Sequence, residues 1–259
     1  MGLLEGKTGL IFGVANERSI AWHIAQNAAV HGATCAFSHL PGEKMEGRVR
    51  RTLESAGLGD AWSHPCDVAS DGDLDALFAT LKRDVGAIDF VVHSVAYADR
   101  EYLKVGMFAE TPRAVFAQAL DISAYTLMAI ANRSRDVMPN GGSILAMTAY
   151  GAEKATPGYN VMGVAKSALE STVRYLAAEL GEAGIRVNAL SAGPCRTLSS
   201  MAIEGVDEMF ERVDEIAPLK RNIETAEVGK AAVYLLSDLS SGVTGETHHV
   251  DAGYNAMAG

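Results

Sequence analysis

The sequence predicts an α/β fold, a doubly wound parallel sheet with helices on both faces. Three observations carry that expectation. Strand-type and helix-type segments alternate from one end of the chain to the other. The strand segments are apolar throughout, as in a sheet buried on both sides, and do not alternate apolar with polar. Glycine, small or polar residues follow strand after strand, where parallel sheets present their ligand-binding ends.

The elements follow in order. TGLIF (8–12) is the first strand, and GVANERS (13–19) is a glycine-bearing turn. IAWHIAQNAAVHG (20–32) has helical apolar spacing and a glycine stop. ATCAFSH (33–39) is the second strand, 43–55 a charged helix, and 61–66 a third strand ended by Asp67. Residues 71–85 read as a helix and IDFVVHS (88–94) as a buried strand. One long helical region spans 111–138, ended by Pro139 and the Gly141-Gly142 pair. A strand at 143–148, a helix at 160–180 and the strand in GIRVNALSAGP (184–194) come next. A helical region at 198–216, a helix at 225–237, the turn SSGVTGE and the strand in THHVDAG (247–253) complete the chain. No repeat or linker interrupts the pattern, so a single domain over 1–259 is expected.

Composition narrows the function. The formal net charge of −10 argues against a general nucleic-acid or anionic-membrane binder. Cys35, Cys66 and Cys195 are odd in number and widely spaced, which argues against a disulfide framework or a zinc site and fits a reduced, cytoplasmic setting. MGLLEGKTGLIFG lacks the charged and apolar regions of a leader, and no apolar run is expected to span a bilayer.

Candidate binding residues lie at the strand ends. Gly13 lets the backbone approach a pyrophosphate, and Ser19 and Ile20 open a helix whose N–H groups face that charge. Ala15 and Arg18 stand where G-x-G-x-x-G would have glycines, so the turn alone is weak evidence. Asp67-Val68 offers a carboxylate to an adenine amine. His93-Ser94-Val95-Ala96 and Ser191-Ala192-Gly193-Pro194 extend the same crevice. Tyr159 and Lys166 are seven apart, about 20° short of two helical turns and about 10 Å along the axis. Two long side chains so placed converge on one ligand, and a lysine close by is expected to lower the tyrosine pKa. His248-His249 suggests a metal pair, but adjacent strand residues face opposite sides, so no metal site is expected.

Together, G-x5-S-I-A, C-D-V, H-S-V-A, Y-N-V-M-G-x-A-K, R-V-N-A-L-S-A-G-P-x-R-T-L and the closing S-G-x-T-G-E…V-D-A-G resemble the short-chain dehydrogenase/reductase superfamily. More closely, the chain is similar to its divergent branch of bacterial NADH-dependent enoyl-acyl-carrier-protein reductases, over essentially its whole length. The resemblance implies a Rossmann-like domain, a homotetramer, and hydride transfer from NADH to an enoyl thioester on acyl carrier protein. It makes Tyr159 and Lys166 catalytic: Tyr159 bonds the thioester carbonyl and Lys166 holds the nicotinamide ribose. It adds Leu40, Ser94, Val95, Gly193, Pro194, Cys195 and Thr197 to the cofactor contacts, and Ala98 to the substrate contacts. Cys195 is read as a packing residue rather than a nucleophile. Residues 198–216 read equally as a mobile substrate lid and as a fixed amphipathic helix, and Arg196, Lys220 and Arg221 are candidate contacts for an acidic carrier or plain surface.

Two departures matter. The family carries a second tyrosine seventeen residues before the lysine. Here that position is Ala149, and Tyr150 comes one residue late. A one-residue slip on an extended segment sends a side chain to the opposite face, so Tyr150 reaches substrate only if the backbone bulges, and Thr148 is the alternative hydroxyl. After the second strand, Phe37-Ser38-His39-Leu40 has no carboxylate for a ribose hydroxyl and no arginine pair for a 2′-phosphate, with Arg48 further along. NADH is expected rather than NADPH. Two other functions remain open: a short-chain reductase of another enone or ketone, and a nucleotide-binding paralogue without turnover.

Overall fold

The computed structural model describes residues 2–198, 200–202 and 205–257. Its chain runs β1 (Thr8–Phe12), α1 (Ile20–Val30), β2 (Thr34–His39), α2 (Glu43–Ser55), β3 (Ser63–Pro65), α3 (Asp71–Asp84) and β4 (Phe90–His93). Then come α4 (Arg113–Leu120), α5 (Thr126–Ser134), β5 (Gly142–Ala149), α6 (Asn160–Leu180), β6 (Ile185–Ala192), α7 (Val206–Ile216), α8 (Thr225–Leu236) and β7 (Thr247–Val250). The strands form one parallel sheet in the order β3-β2-β1-β4-β5-β6-β7. The expected α/β class is therefore what the chain forms.

Alternate residues of β1, β2, β4, β5 and β6 feed two different cores. Ile11, Phe37, Val92, Leu145, Met147 and Leu190 pack with α1 and α8 on one face. Leu10, Phe12, Ala36, Val91, Ile144, Ala146 and Ala189 pack with α3, α5 and α6 on the other. This double burial is the reason the strands read as continuous apolar runs.

Strand order reverses direction between β1 and β4, and the loops that leave these two strands meet there. Gly13 has φ +98°, and a Cβ on it would stand 2.1 Å from the Ser94 carbonyl oxygen. Glycine is thus required by contact between the loops as well as by backbone conformation.

One helix differs from expectation in two ways. The helix expected over 111–138 is observed over 113–134 and contains a π-helical stretch, Asp121–Tyr125, between α4 and α5. Hydrophobic spacing does not report such a one-residue widening. This helix is also long and apolar enough, by length and composition, to cross a bilayer, contrary to expectation. Thr126, Leu127, Ile130 and Ala131 are buried in the fold, as in a core helix. Of the expected lid, α7 is described, with Val206, Phe210 and Val213 on its buried face. Ser199, Ile203 and Glu204 lie outside the described residues.

Candidate active site

The first wall of the site is the turn after β1. Ser19 gives α1 no side-chain cap. Its hydroxyl oxygen instead accepts from the Ala15 and Asn16 N–H groups, at 3.0 and 3.1 Å. The turn is closed by its own serine, and the positive end of α1, beginning at Ile20, remains available to an anion. Leu40 follows β2 and is 53% exposed. Asp67 is half-buried, and one carboxylate oxygen accepts from the Ala69 N–H at 3.0 Å. Val68 packs at the margin of the core.

The floor is the end of β4, and the π-helical stretch sets it. Ser123 is fully buried; its oxygen accepts from Tyr97 N at 3.0 Å and its hydroxyl is 3.1 Å from Tyr97 O. The loop Ser94-Val95-Ala96-Tyr97-Ala98 is thereby pinned to the helix. His93 is fully buried, with Nε2 2.8 Å from Thr126 Oγ1. Thr126 donates its proton to Ile122 O at 2.7 Å, so Nε2 must be the protonated nitrogen. Nδ1 is left buried without a partner among the described residues. Burial, aided by the Lys166 charge, pulls the His93 pKa down to about 3, so the ring is neutral.

The end of β5 and the start of α6 bring the two tyrosines and the lysine into place. Tyr159 immediately precedes α6 and Lys166 lies within it. They are not joined by uninterrupted helical backbone, as the seven-residue spacing implied, because Asn160 has φ +43°. The Tyr159 ring borders an apolar cluster of Leu103, Ala119, Val161, Met162 and Ala165, which Ala98 also borders. Its other side lies against Gly151, where a Cβ would stand 2.3 Å from Tyr159 Cδ1. Lys166 is buried and donates to Met147 O at 2.7 Å.

The electrostatics correct the expectation for the tyrosine. Burial, then the Glu170 charge, pushes the Tyr159 pKa up rather than down, so the phenol is protonated at neutral pH. Burial lowers Lys166 to about 8, and Glu170 opposes that shift. Glu170 was not singled out from the sequence. Its signal was the four-residue step from Lys166, which puts both on one helix face. Glu170 is itself buried, accepts from Thr148 Oγ1 at 2.7 Å, and has its pKa raised chiefly by burial.

Around Ala149 the two candidate hydroxyls have different partners. Thr148 spends its hydroxyl on Glu170. Ala149 is extended and pairs with Ala192 of β6. Tyr150 begins a short 3-10 turn, its ring edge-on to Tyr254 at 5.6 Å between centroids. The Glu153 and Asp251 charges reach it there. Tyr150 and Tyr159 thus have different surroundings.

The last wall follows β6. Gly193 lies against β7's end, where a Cβ would stand 2.9 Å from Asp251 Cα. Pro194 leads to Cys195, whose thiol is buried and pushed up to about 12 by that burial. Burial of this kind fits a packing thiol. Thr197 N–H bonds Cys195 O and Ser200 Oγ, at 2.8 and 2.9 Å, in a tight turn. The three basic candidates for a carrier contact are all engaged. Arg196 lies 4.4 Å over the Phe210 ring and 3.4 Å from Asp207, Lys220 donates to Glu215 O, and Arg221 pairs with Glu227. His248 and His249 face opposite sides, one against Tyr234 and the other 2.6 Å from Glu153.

Comparison with known proteins matches this chain from residue 13 to 255 to a family described as enoyl-(acyl carrier protein) reductase. It is 50% identical to enoyl-[acyl-carrier-protein] reductase [NADH] 1 of Rhizobium meliloti, over 99% of this chain and 93% of that one. The crystal structure of the Bacillus cereus enoyl-acyl carrier protein reductase, with NADP+ and an indole naphthyridinone, superposes with a TM-score of 0.96 at 46% identity, covering 100% of both chains. That of the Anaplasma phagocytophilum reductase in complex with NAD gives 0.93 at 44% identity, covering 100% of this chain and 95% of the other.

Proposed function

The chain belongs to the enoyl-(acyl carrier protein) reductase family, and on that premise we propose that it reduces the trans-2 double bond of enoyl thioesters on acyl carrier protein, with NADH, in fatty-acid elongation. The observation that carries this reading is a tyrosine, Tyr159, at the apolar border it shares with Ala98, and a buried lysine, Lys166, on the helix it precedes.

The residues present fit a dinucleotide. Gly13 permits close backbone approach, α1 keeps its uncapped positive end, and small residues follow β4 and β6. Gly13, Ser19, Ile20, Leu40, Asp67, Val68, Ser94, Val95, Lys166, Gly193, Pro194, Cys195 and Thr197 would hold it. When bound, NADH supplies the hydride that reaches the β-carbon of the thioester. Negative charge then gathers on the carbonyl oxygen, and the Tyr159 hydroxyl is the donor that meets it. Its raised pKa keeps the proton on the phenol oxygen, which makes Tyr159 a donor rather than a base. Lys166 brings a positive charge to the ribose. Neutral His93 adds no competing charge behind it. Leu40 is uncharged where a 2′-phosphate would need cations, which favours NADH.

Beyond the reaction, we read the chain as one dinucleotide-binding domain with residues 198–216 as its substrate lid. Exposed Phe116, Tyr125, Met128 and Tyr175 on the helix of residues 113–134 and on α6 favour a homotetramer that covers them. Three unpaired, buried cysteines favour a cytoplasmic protein. The test is NADH oxidation with a medium-chain trans-2-enoyl thioester in the parent, Tyr159→Phe and Ala149→Tyr. Turnover that falls on the order of 100-fold in Tyr159→Phe, with NADH still bound, is expected. NADH binding without turnover in the parent would overturn the reading, and recovery of turnover in Ala149→Tyr would trace that loss to the missing tyrosine.

A further inference from the structure

Asn160 stands between the candidate donor and the helix that carries Lys166. Its φ of +43° lies in the left-handed region, which non-glycine residues enter at a cost and asparagine enters most readily. Asparagines in that region commonly bond their own neighbourhood. Here the side-chain amide reaches across the chain instead. Nδ2 donates to Tyr102 O at 2.8 Å and to Lys104 O at 2.7 Å, 58 and 56 residues away in sequence. An amide nitrogen has two protons, and both are used on this one segment.

The segment is not incidental. It includes the short 3-10 turn Arg100–Tyr102 and buried Leu103, and it is continuous with Ala98. Leu103 and Ala98 share the apolar cluster that borders the Tyr159 ring. One residue therefore sets two things. Its backbone fixes how the Tyr159 peptide enters α6, and its amide fixes where the 98–104 segment lies beside the Tyr159 ring.

Resting on Tyr159 as the donor, we propose that Asn160 is a positioning residue, which aims the Tyr159 hydroxyl through its left-handed backbone and latches the 98–104 segment as the wall for the acyl chain. Two substitutions separate the two duties. Asn160→Gly keeps access to positive φ and loses the amide. Asn160→Ala loses both.

The experiment measures kcat, KM for a long-chain and a short-chain enoyl thioester, and NADH affinity, in the parent and both variants. Hydrogen exchange over residues 98–107 is followed in the same proteins with NADH bound. In Asn160→Gly, KM for the long-chain thioester rises about tenfold, with a smaller rise for the short one and kcat within about threefold, because the latch is lost and the aim retained. In Asn160→Ala, kcat also falls, on the order of 100-fold. NADH affinity stays within about twofold in both, because Lys166 is undisturbed. Exchange over 98–107 speeds at least about tenfold in both variants, while the rest of α6 keeps its protection. Equal kinetic losses in the two variants would overturn the proposal, as would a matching loss of NADH affinity or unchanged exchange. An inactive parent would count against the enoyl reductase reading, and the exchange result would still decide whether the latch exists.

Discussion

Gly151→Ala tests the placement of the Tyr159 ring without touching a reacting group. A Cβ at position 151 would stand 2.3 Å from Cδ1 of that ring, 2.8 Å from Cε1 and 3.2 Å from Cγ. Ordinary contact begins near 3.4 Å, so the ring must withdraw by about 1 Å, toward the apolar cluster on its other side. Displacement of a catalytic group by about 1 Å costs on the order of 100-fold in rate, or about 2.7 kcal/mol of transition-state stabilisation. Overpacking adds a stability loss of about 1–3 kcal/mol. Gly151 is not among the residues with positive φ, so the change brings no backbone strain of that kind. Steady-state loss of NADH absorbance with an enoyl thioester gives kcat, fluorescence titration gives NADH affinity, and denaturant unfolding gives stability. The expected result is a kcat about 100-fold lower, with NADH affinity within about twofold, because the Lys166 bond to Met147 O is untouched. A kcat within about threefold of the parent, in a variant that folds, would refute the reasoning. The loop, and not the ring, would then be yielding.

Two further outcomes follow from the buried charges. Lys166 is lowered to about 8, so its ammonium is complete only below that pH. NADH affinity should fall about tenfold per pH unit above pH 8. The limb should move to lower pH in Glu170→Gln, which removes the charge that supports the ammonium, and a flat profile to pH 10 would contradict the assignment. Thr148→Val removes the hydroxyl that donates to Glu170 at 2.7 Å. It should cost about 1–3 kcal/mol in denaturant unfolding at neutral pH. Glu170 is raised by burial, and losing Thr148 raises it further. The deficit is therefore present where the carboxylate is charged and shrinks as pH falls through its folded pKa. A deficit that stays constant from neutral to acid pH would sink that account.

Much of the fold was legible because apolar runs and glycine stops report burial and chain reversal directly. The helices at 43–55 and 160–180 lie where the spacing placed them. The π-helical stretch was not legible in the apolar spacing, and the partners of Ser123 and of the adjacent Thr126, Tyr97 and His93, are brought to them by the fold. The slip from Ala149 to Tyr150 was visible in the spacing. Where Tyr150 goes was decided by Tyr254, more than a hundred residues away in sequence.

By itself the sequence determined the class of sheet, the small and polar residues that follow its strands, and the seven-residue spacing of a tyrosine and a lysine at the start of α6. These depend on local periodicity and residue type, which each segment carries alone. Only the tertiary structure decided that the Tyr159 pKa is raised and not lowered, that Glu170 takes the Thr148 hydroxyl, and that Asn160 latches the 98–104 segment. Proton affinity depends on burial and on charges brought near from elsewhere in the chain, and a latch exists only once two distant segments have met.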